Sequence, residues 1–246
     1  MSEIDEQVRK QLEDLSTCEI SDALVKLGHV TGGFIPNLNI YSPREHEDVK
    51  VVGRVFTVKL VEQESEGSKQ SNGPKVEQHF VDAAPPGSVI LISPDFVSGA
   101  ACWGGLMSTA ARAKGIRGVV VLGGCRDLKE HREIGFPVFA QFHSTIGQKT
   151  FLRPSEYNTK MEIPILPPYH IPAPASQEDE KECYKTVIEP GDILVGDVDG
   201  VVIIPFDLVE EVILVAQKGK EVDENVKKDL EDGKGVKESM KKWRGT

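Results

Sequence analysis

Residues 119–140 read VVVLGGCRDLKEHREIGFPVFA, a run of valines that ends in two glycines, a cysteine, an arginine and an aspartate. IRGVVVLGG (116–124) is a continuous, largely apolar strand of the kind found in sheets covered on both faces. Gly123 and Gly124 clear space at its end, and Arg126 and Asp127 then stand side by side. Residues 128–135 read as a short helix or turn, and FPVFA (136–140) as the next strand. Strands alternating with helices indicate an α/β architecture, whose ligand sites favour the carboxyl ends of strands. A lone Arg-Asp dipeptide is ordinarily a surface ion pair; its place after a buried strand is what raises it to a candidate site.

Outward from this core the pattern continues. GGLMSTAARAKG (104–115) has strong helix formers at its centre and Gly115 as a stop. PPGSVILI (85–92) is a turn followed by a buried strand, and EPGDILVGDVDGVVIIP (189–205) repeats that phrase. VVGRVFTVKLV (51–61) is a further strand, VEQHFVDA (76–83) a short helix and VTGGFIPNL (30–38) a loop. Near the start, Ile4, Val8, Leu12 and Leu15 recur at helical spacing. Ser16 and Glu19 then have the spacing of a capping box, opening a second helix with Ile20, Leu24 and Leu27 on one face and Gly28 as its stop. Polar 62–75 and proline-rich, acidic 167–183 read as surface loops. From Asp207 onward apolar and charged residues alternate at helical spacing, including Val222, Val226 and Leu230, and end in a basic KKWRGT that reads as a solvated tail. No linker divides the chain, so 1–246 is expected to be one domain.

The whole-chain numbers narrow the chemistry. With 29 basic against 39 acidic residues the net charge is −10, a poor match for nucleic acid or an anionic membrane. Small-molecule or protein partners fit better. Cys18, Cys102, Cys125 and Cys183 form no C-x-x-C pair and are expected to be buried free thiols. No secretory h-region or membrane-length apolar run is present, so an intracellular, cytoplasmic protein is expected. G-x-S-x-G, G-x-x-x-x-G-K-[ST], G-x-G-x-x-G and H-E-x-x-H are all absent. His131, inside KEHRE, reads as a solvated histidine.

Two segments carry chemistry once those motifs are excluded. In WGGLMSTAA (103–111), Gly104 and Gly105 stand just before a helix, where free amides without a Cβ in the way make an anion site. Such a pair can equally be a tight packing loop. In GGCRD (123–127), the Arg126 fork suits a carboxylate, and Asp127 is a hard oxygen ligand suited to Mg²⁺ or Mn²⁺. The two segments converge only if the chain folds back appropriately, across neighbouring elements or across subunits.

GGLMSTAARAKGIRGVVVLGGCRDLKEHREIGFPVFA (104–140) resembles the core of the RraA-like proteins, whose enzymatic members are 4-hydroxy-4-methyl-2-oxoglutarate aldolases. STCEISDAL (16–24) and both Pro-Gly strands extend the resemblance over most of residues 15–230. It implies a single-domain layered sandwich of the swivelling β/β/α type with flanking N- and C-terminal helices, assembled as a homotrimer or dimer of trimers with sites at subunit boundaries. It also implies a divalent-metal-dependent class II aldolase with oxaloacetate decarboxylase activity, both reactions passing through a pyruvate enolate. By the same resemblance, Asp127 binds Mg²⁺ (or Mn²⁺), Arg126 contacts the 2-oxo acid, and the amides of Gly104, Gly105, Leu106 and Met107 hold its carboxylate. Family aldolases carry a water-orienting acidic residue where this chain has Gly105. Asp22 either lends an acid from an adjacent subunit or is a helix-surface residue. Other RraA-like proteins are non-catalytic and inhibit a ribonuclease by protein contact, which is the competing expectation. A methyltransferase activity also attached to the family lacks the glycine-rich nucleoside loop it would need.

Overall fold

The computed structural model describes residues 4–45, 48–63, 76–96, 98–165 and 184–245. Most of the two polar segments at 62–75 and 167–183, and Cys183, lie outside these. In chain order the elements are α1 (Glu6–Glu13), α2 (Thr17–Lys26), β1 (Phe34–Ile35), β2 (Asn39–Ser42), β3 (Val51–Glu62), α3 (Phe80–Ala83), β4 (Ser88–Pro94), β5 (Ala101–Trp103), α4 (Gly105–Ala113) and β6 (Gly118–Cys125). They continue with α5 (Leu128–Ile134), β7 (Val138–His143), β8 (Leu152–Tyr157), β9 (Met161–Pro164), β10 (Lys185–Ile188), β11 (Ile193–Asp197), β12 (Gly200–Ile204), α6 (Val209–Glu231) and α7 (Val236–Arg244).

Ten strands share one mixed sheet in the order β1-β12-β11-β3-β4-β6-β7-β2, with β5 added to β6 and β8 to β3. Its centre, β3-β4-β6-β7, is parallel. Parallel pairing buries both faces, which is why Val119, Val120 and Val121 are all fully buried despite pointing to alternate sides. One face packs Ile90, Ile92, Val119 and Val121 around Trp103 and Phe136; the other packs Leu91, Val120 and Phe139. The mixed α/β architecture with a large sheet and flanking helices agrees with the expectation from sequence.

The short helix expected in VEQHFVDA is present as the single turn α3, capped by His79. Several local readings are corrected. The second Pro-Gly phrase is a β-hairpin in which Asp197 pairs with Gly200, not one strand. Cys102 and Cys125 are buried, but Cys18 is exposed on α2. The basic C-terminal turn is not a solvated tail. Buried Asp229 on α6 accepts from Trp243 Nε1 at 2.9 Å and Lys242 Nζ at 3.1 Å, folding α7 back onto α6. Lys234, followed by Trp243 and Lys242, holds the Asp229 carboxyl far below the usual carboxylate range.

Candidate active site

The short strand β5 brings the two candidate segments together. It pairs in parallel with the end of β6, Ala101 opposite Gly124 and Trp103 opposite Cys125, and the Arg126 amide donates to the Trp103 carbonyl at 2.9 Å. Both strands therefore finish side by side at the carboxyl edge of the parallel core. Gly104 and Arg126–Asp127 leave that edge within one chain.

Asp127 is the N-cap of α5 and sits in the left-handed region, φ 62° and ψ 40°. Aspartate and asparagine are the non-glycine residues that tolerate this backbone best. Its side chain does not cap its own helix. Instead Oδ2 accepts the Gly105 N–H, the first amide of α4, at 3.0 Å. A Cβ on Gly104 would lie 2.7 Å from that same Oδ2, so glycine is required for the approach. Arg126 Nε stands 3.4 Å from Asp127 Oδ2. On its far side the Arg126 fork passes over Gly147, where a Cβ would lie 2.5 Å from Nη1. Arg126 is thus seated in a slot between two bare glycines, and Gly147 was not legible in the sequence because it comes from the loop after β7.

Of the four amides at 104–107, Gly105 is engaged by Asp127, and Met107 donates to the Gly104 carbonyl at 3.0 Å. Gly104 and Leu106 donate to no protein acceptor among the described residues, and Leu106 is 76% exposed. Two helix-terminal amides therefore remain open beside the Arg126 guanidinium, an arrangement suited to a carboxylate.

Strand-end glycines play different parts from the one expected. A Cβ on Gly124 would meet Phe142 at 2.6 Å, so Gly124 makes room for core packing and not for a ligand. Cys125, just before Arg126, is fully buried, and burial pushes its thiol up to about 12; it is no thiolate nucleophile.

His131 overturns its reading as a solvated side chain: it is fully buried. Trp103 Nε1, which can only donate, gives its proton to Ser108 Oγ at 2.7 Å, and Ser108 Oγ lies 2.9 Å from His131 Nδ1. The Ser108 hydroxyl, which can both accept and donate, thus links the indole to the imidazole, whose Nε2 has no partner among the described residues. This chain ties β5, α4 and α5 together beneath the site. Burial lowers the His131 pKa, outweighing the Arg126 backbone and the Asp127 charge that raise it. A lowered histidine pKa contributes stability that is present above the ordinary value of 6.5 and is lost as pH falls through the lowered one. The melting temperature should therefore drop on acidification below about pH 6.5, and that drop should be shallower in His131→Gln. Thermal melts of both proteins from pH 7.5 to 5 check this; parallel profiles would show that burial of His131 does not couple its protonation to folding.

Asp22 is exposed on α2 and lines a groove formed with α6 and α7. Within this chain it is not among the residues that meet around Asp127.

The residues present fit a divalent cation of the hard, oxygen-loving kind. Asp127 holds one carboxylate oxygen on an amide, and its Oδ1 has no protein donor among the described residues. No group of three or more His, Cys, Asp or Glu side chains with metal-binding geometry occurs among the described residues. That excludes a closed protein cage there but suits Mg²⁺, which keeps several waters and takes further oxygens from substrate.

Several known proteins are similar to this chain. A Halalkalibacterium halodurans protein named "Putative 4-hydroxy-4-methyl-2-oxoglutarate aldolase" is 29% identical over 234 residues, covering 94% of this chain and 92% of that protein. Protein DlpA of Legionella pneumophila is 25% identical over 234 residues, 95% of this chain, which spans only 33% of DlpA's length. Among solved structures, an uncharacterized protein from Pseudomonas syringae pv. tomato superposes with a TM-score of 0.76 at 25% identity, covering 98% of this chain and 96% of that one. A family model described as RraA-like, Aldolase/RraA, matches residues 17–203. With three quarters of its length matched, the chain belongs to the RraA-like family.

Proposed function

We propose that this protein is a divalent-metal-dependent carbon–carbon lyase that cleaves 4-hydroxy-4-methyl-2-oxoglutarate to pyruvate and also decarboxylates oxaloacetate. The observation that carries the reading is the meeting of Arg126, Asp127 and the open amides of the α4 N-terminus at one strand edge. The name of the Halalkalibacterium relative supports the substrate. A non-catalytic contact surface has no use for an aspartate held at a positive φ with one oxygen turned away from protein donors.

Asp127 would hold Mg²⁺ or Mn²⁺, and the bound ion would supply Lewis-acid stabilisation of the enolate left when the C–C bond breaks. Arg126 and the amides of Gly104 and Leu106 bind the substrate's 2-oxo carboxylate and orient the breaking bond. Arg126 also places fixed positive charge beside the developing enolate. Exposed Leu106 and Ile146 flank the site and are the apolar surface that a trimer or dimer of trimers would cover.

Arg126→Ala should lower kcat/KM by about 10²-fold while the melting temperature stays put, because the side chain is exposed and sits between glycines. Arg126→Lys should not restore it, since a point charge cannot reproduce the planar fork. Steady-state pyruvate release measures both; an unchanged kcat/KM would remove Arg126 from substrate binding.

A further inference from the structure

Gly105 leaves a vacancy that a carboxylate fills. A Cβ built on it would lie 1.8 Å from Glu130 Oε2, 2.6 Å from its Cδ and 2.8 Å from its Cβ. Any side chain at 105 would therefore evict Glu130, and α4 and α5 could not approach as they do. Glu130 follows Asp127 by three residues, which puts both on one face of the first turn of α5. The Asp127 carboxylate accepts the Gly105 amide, so the two acids close on the same glycine. Glu130 is exposed and has neither a cationic partner nor a hydrogen bond among the described residues. A carboxylate packed on bare backbone at the mouth of the site, with no partner among the described residues, is placed to act on what enters there.

We infer that Glu130 is the general base of the aldol cleavage, an inference that rests on the lyase reading above. Glu130 takes the proton of the substrate's C4 hydroxyl. The freed O–H electron pair forms the new C4=O bond, the C3–C4 bond breaks, and its pair becomes the enolate of the departing three-carbon 2-oxo acid. Glu130 then returns the same proton to C3, giving pyruvate, so the step needs no co-reactant. Oxaloacetate makes a different demand. Its C3–C4 bond breaks as CO₂ leaves, with no hydroxyl proton to remove, and water can protonate the enolate.

The test compares the two substrates on purified wild-type protein and Glu130→Gln with Mg²⁺, following pyruvate. General-base removal should slow cleavage of 4-hydroxy-4-methyl-2-oxoglutarate by about 10²-fold and change oxaloacetate decarboxylation less than about threefold. Mn²⁺ affinity, read by electron paramagnetic resonance without substrate, should be unchanged. Equal loss on both substrates, no loss on either, or Mn²⁺ binding weakened tenfold would each overturn the assignment, the last by making Glu130 a metal ligand. A wild-type protein inactive on both substrates would instead bring down the lyase reading itself.

Discussion

Asp127→Asn should cut metal-dependent pyruvate release by about 10³-fold, roughly 4 kcal/mol of transition-state stabilisation, without unfolding the protein. Asparagine is the informative choice because of the backbone. At φ 62° and ψ 40°, alanine would add a left-handed strain of about 1–2 kcal/mol, and its effect would mix strain with lost chemistry. Asparagine accepts that conformation and keeps an oxygen for the Gly105 amide. Only the charge and its affinity for a hard cation go. Activity by pyruvate release and folding by circular dichroism separate the two effects; near-wild-type turnover in Asp127→Asn would show that the metal is held elsewhere.

Asp197→Ala should produce the largest loss of stability, about 3–5 kcal/mol. Asp197 ends β11 and is almost wholly buried. It accepts the Thr17 amide at 2.8 Å, the Thr17 hydroxyl at 2.6 Å, Lys50 Nζ at 3.0 Å and the Asp199 amide at 3.1 Å. One carboxylate therefore pins the N-terminus of α2, where the helix dipole favours an anion, to the β11–β12 turn. Burial pushes its pKa up, but the Thr17 bonds and Lys50 together outweigh that and hold it below the ordinary value. A lowered carboxylate pKa means stability present above 3.8 and lost as pH falls through the lowered value. Truncation leaves the buried Thr17 amide and hydroxyl without their acceptor and half-buried Lys50 with the Leu15 carbonyl alone, which is where the cost arises. At roughly 2–4 °C per kcal/mol for a chain of this size, the melting temperature should fall by about 10 °C. A shift under about 2 °C by calorimetry would show that α2 is held by its apolar contacts alone.

How much of this was legible in sequence depended on the range of each interaction. The strands around 88–94 and 118–125, helix α4 and the capping box of α2 are written in local patterns, and the structure has them within a few residues. Arg126 and Asp127 stood out because they follow a buried strand. What joins them to Gly104 and Gly105 is β5, three residues long, too short to show a period and meaningful only beside β6. His131 sits in a charged window because α5 is a short helix with a wet outer face; its inner face meets Ser108 and Trp103, more than twenty residues earlier. Gly147 and Glu130 act by the space they leave or occupy, which no sequence spacing reveals. The Gly105 departure from the aldolase pattern was visible as a missing acid, while the carboxylate resting over it was not.

A metal add-back tests whether Asp127 recruits a divalent cation for carbon–carbon cleavage. Protein stripped with EDTA should release no pyruvate from oxaloacetate, regain release saturably as Mg²⁺ or Mn²⁺ is titrated in, and fail to regain it when Asp127 is asparagine. Turnover unaffected by EDTA and by the Asp127 substitution would show that Asp127 holds no catalytic cation.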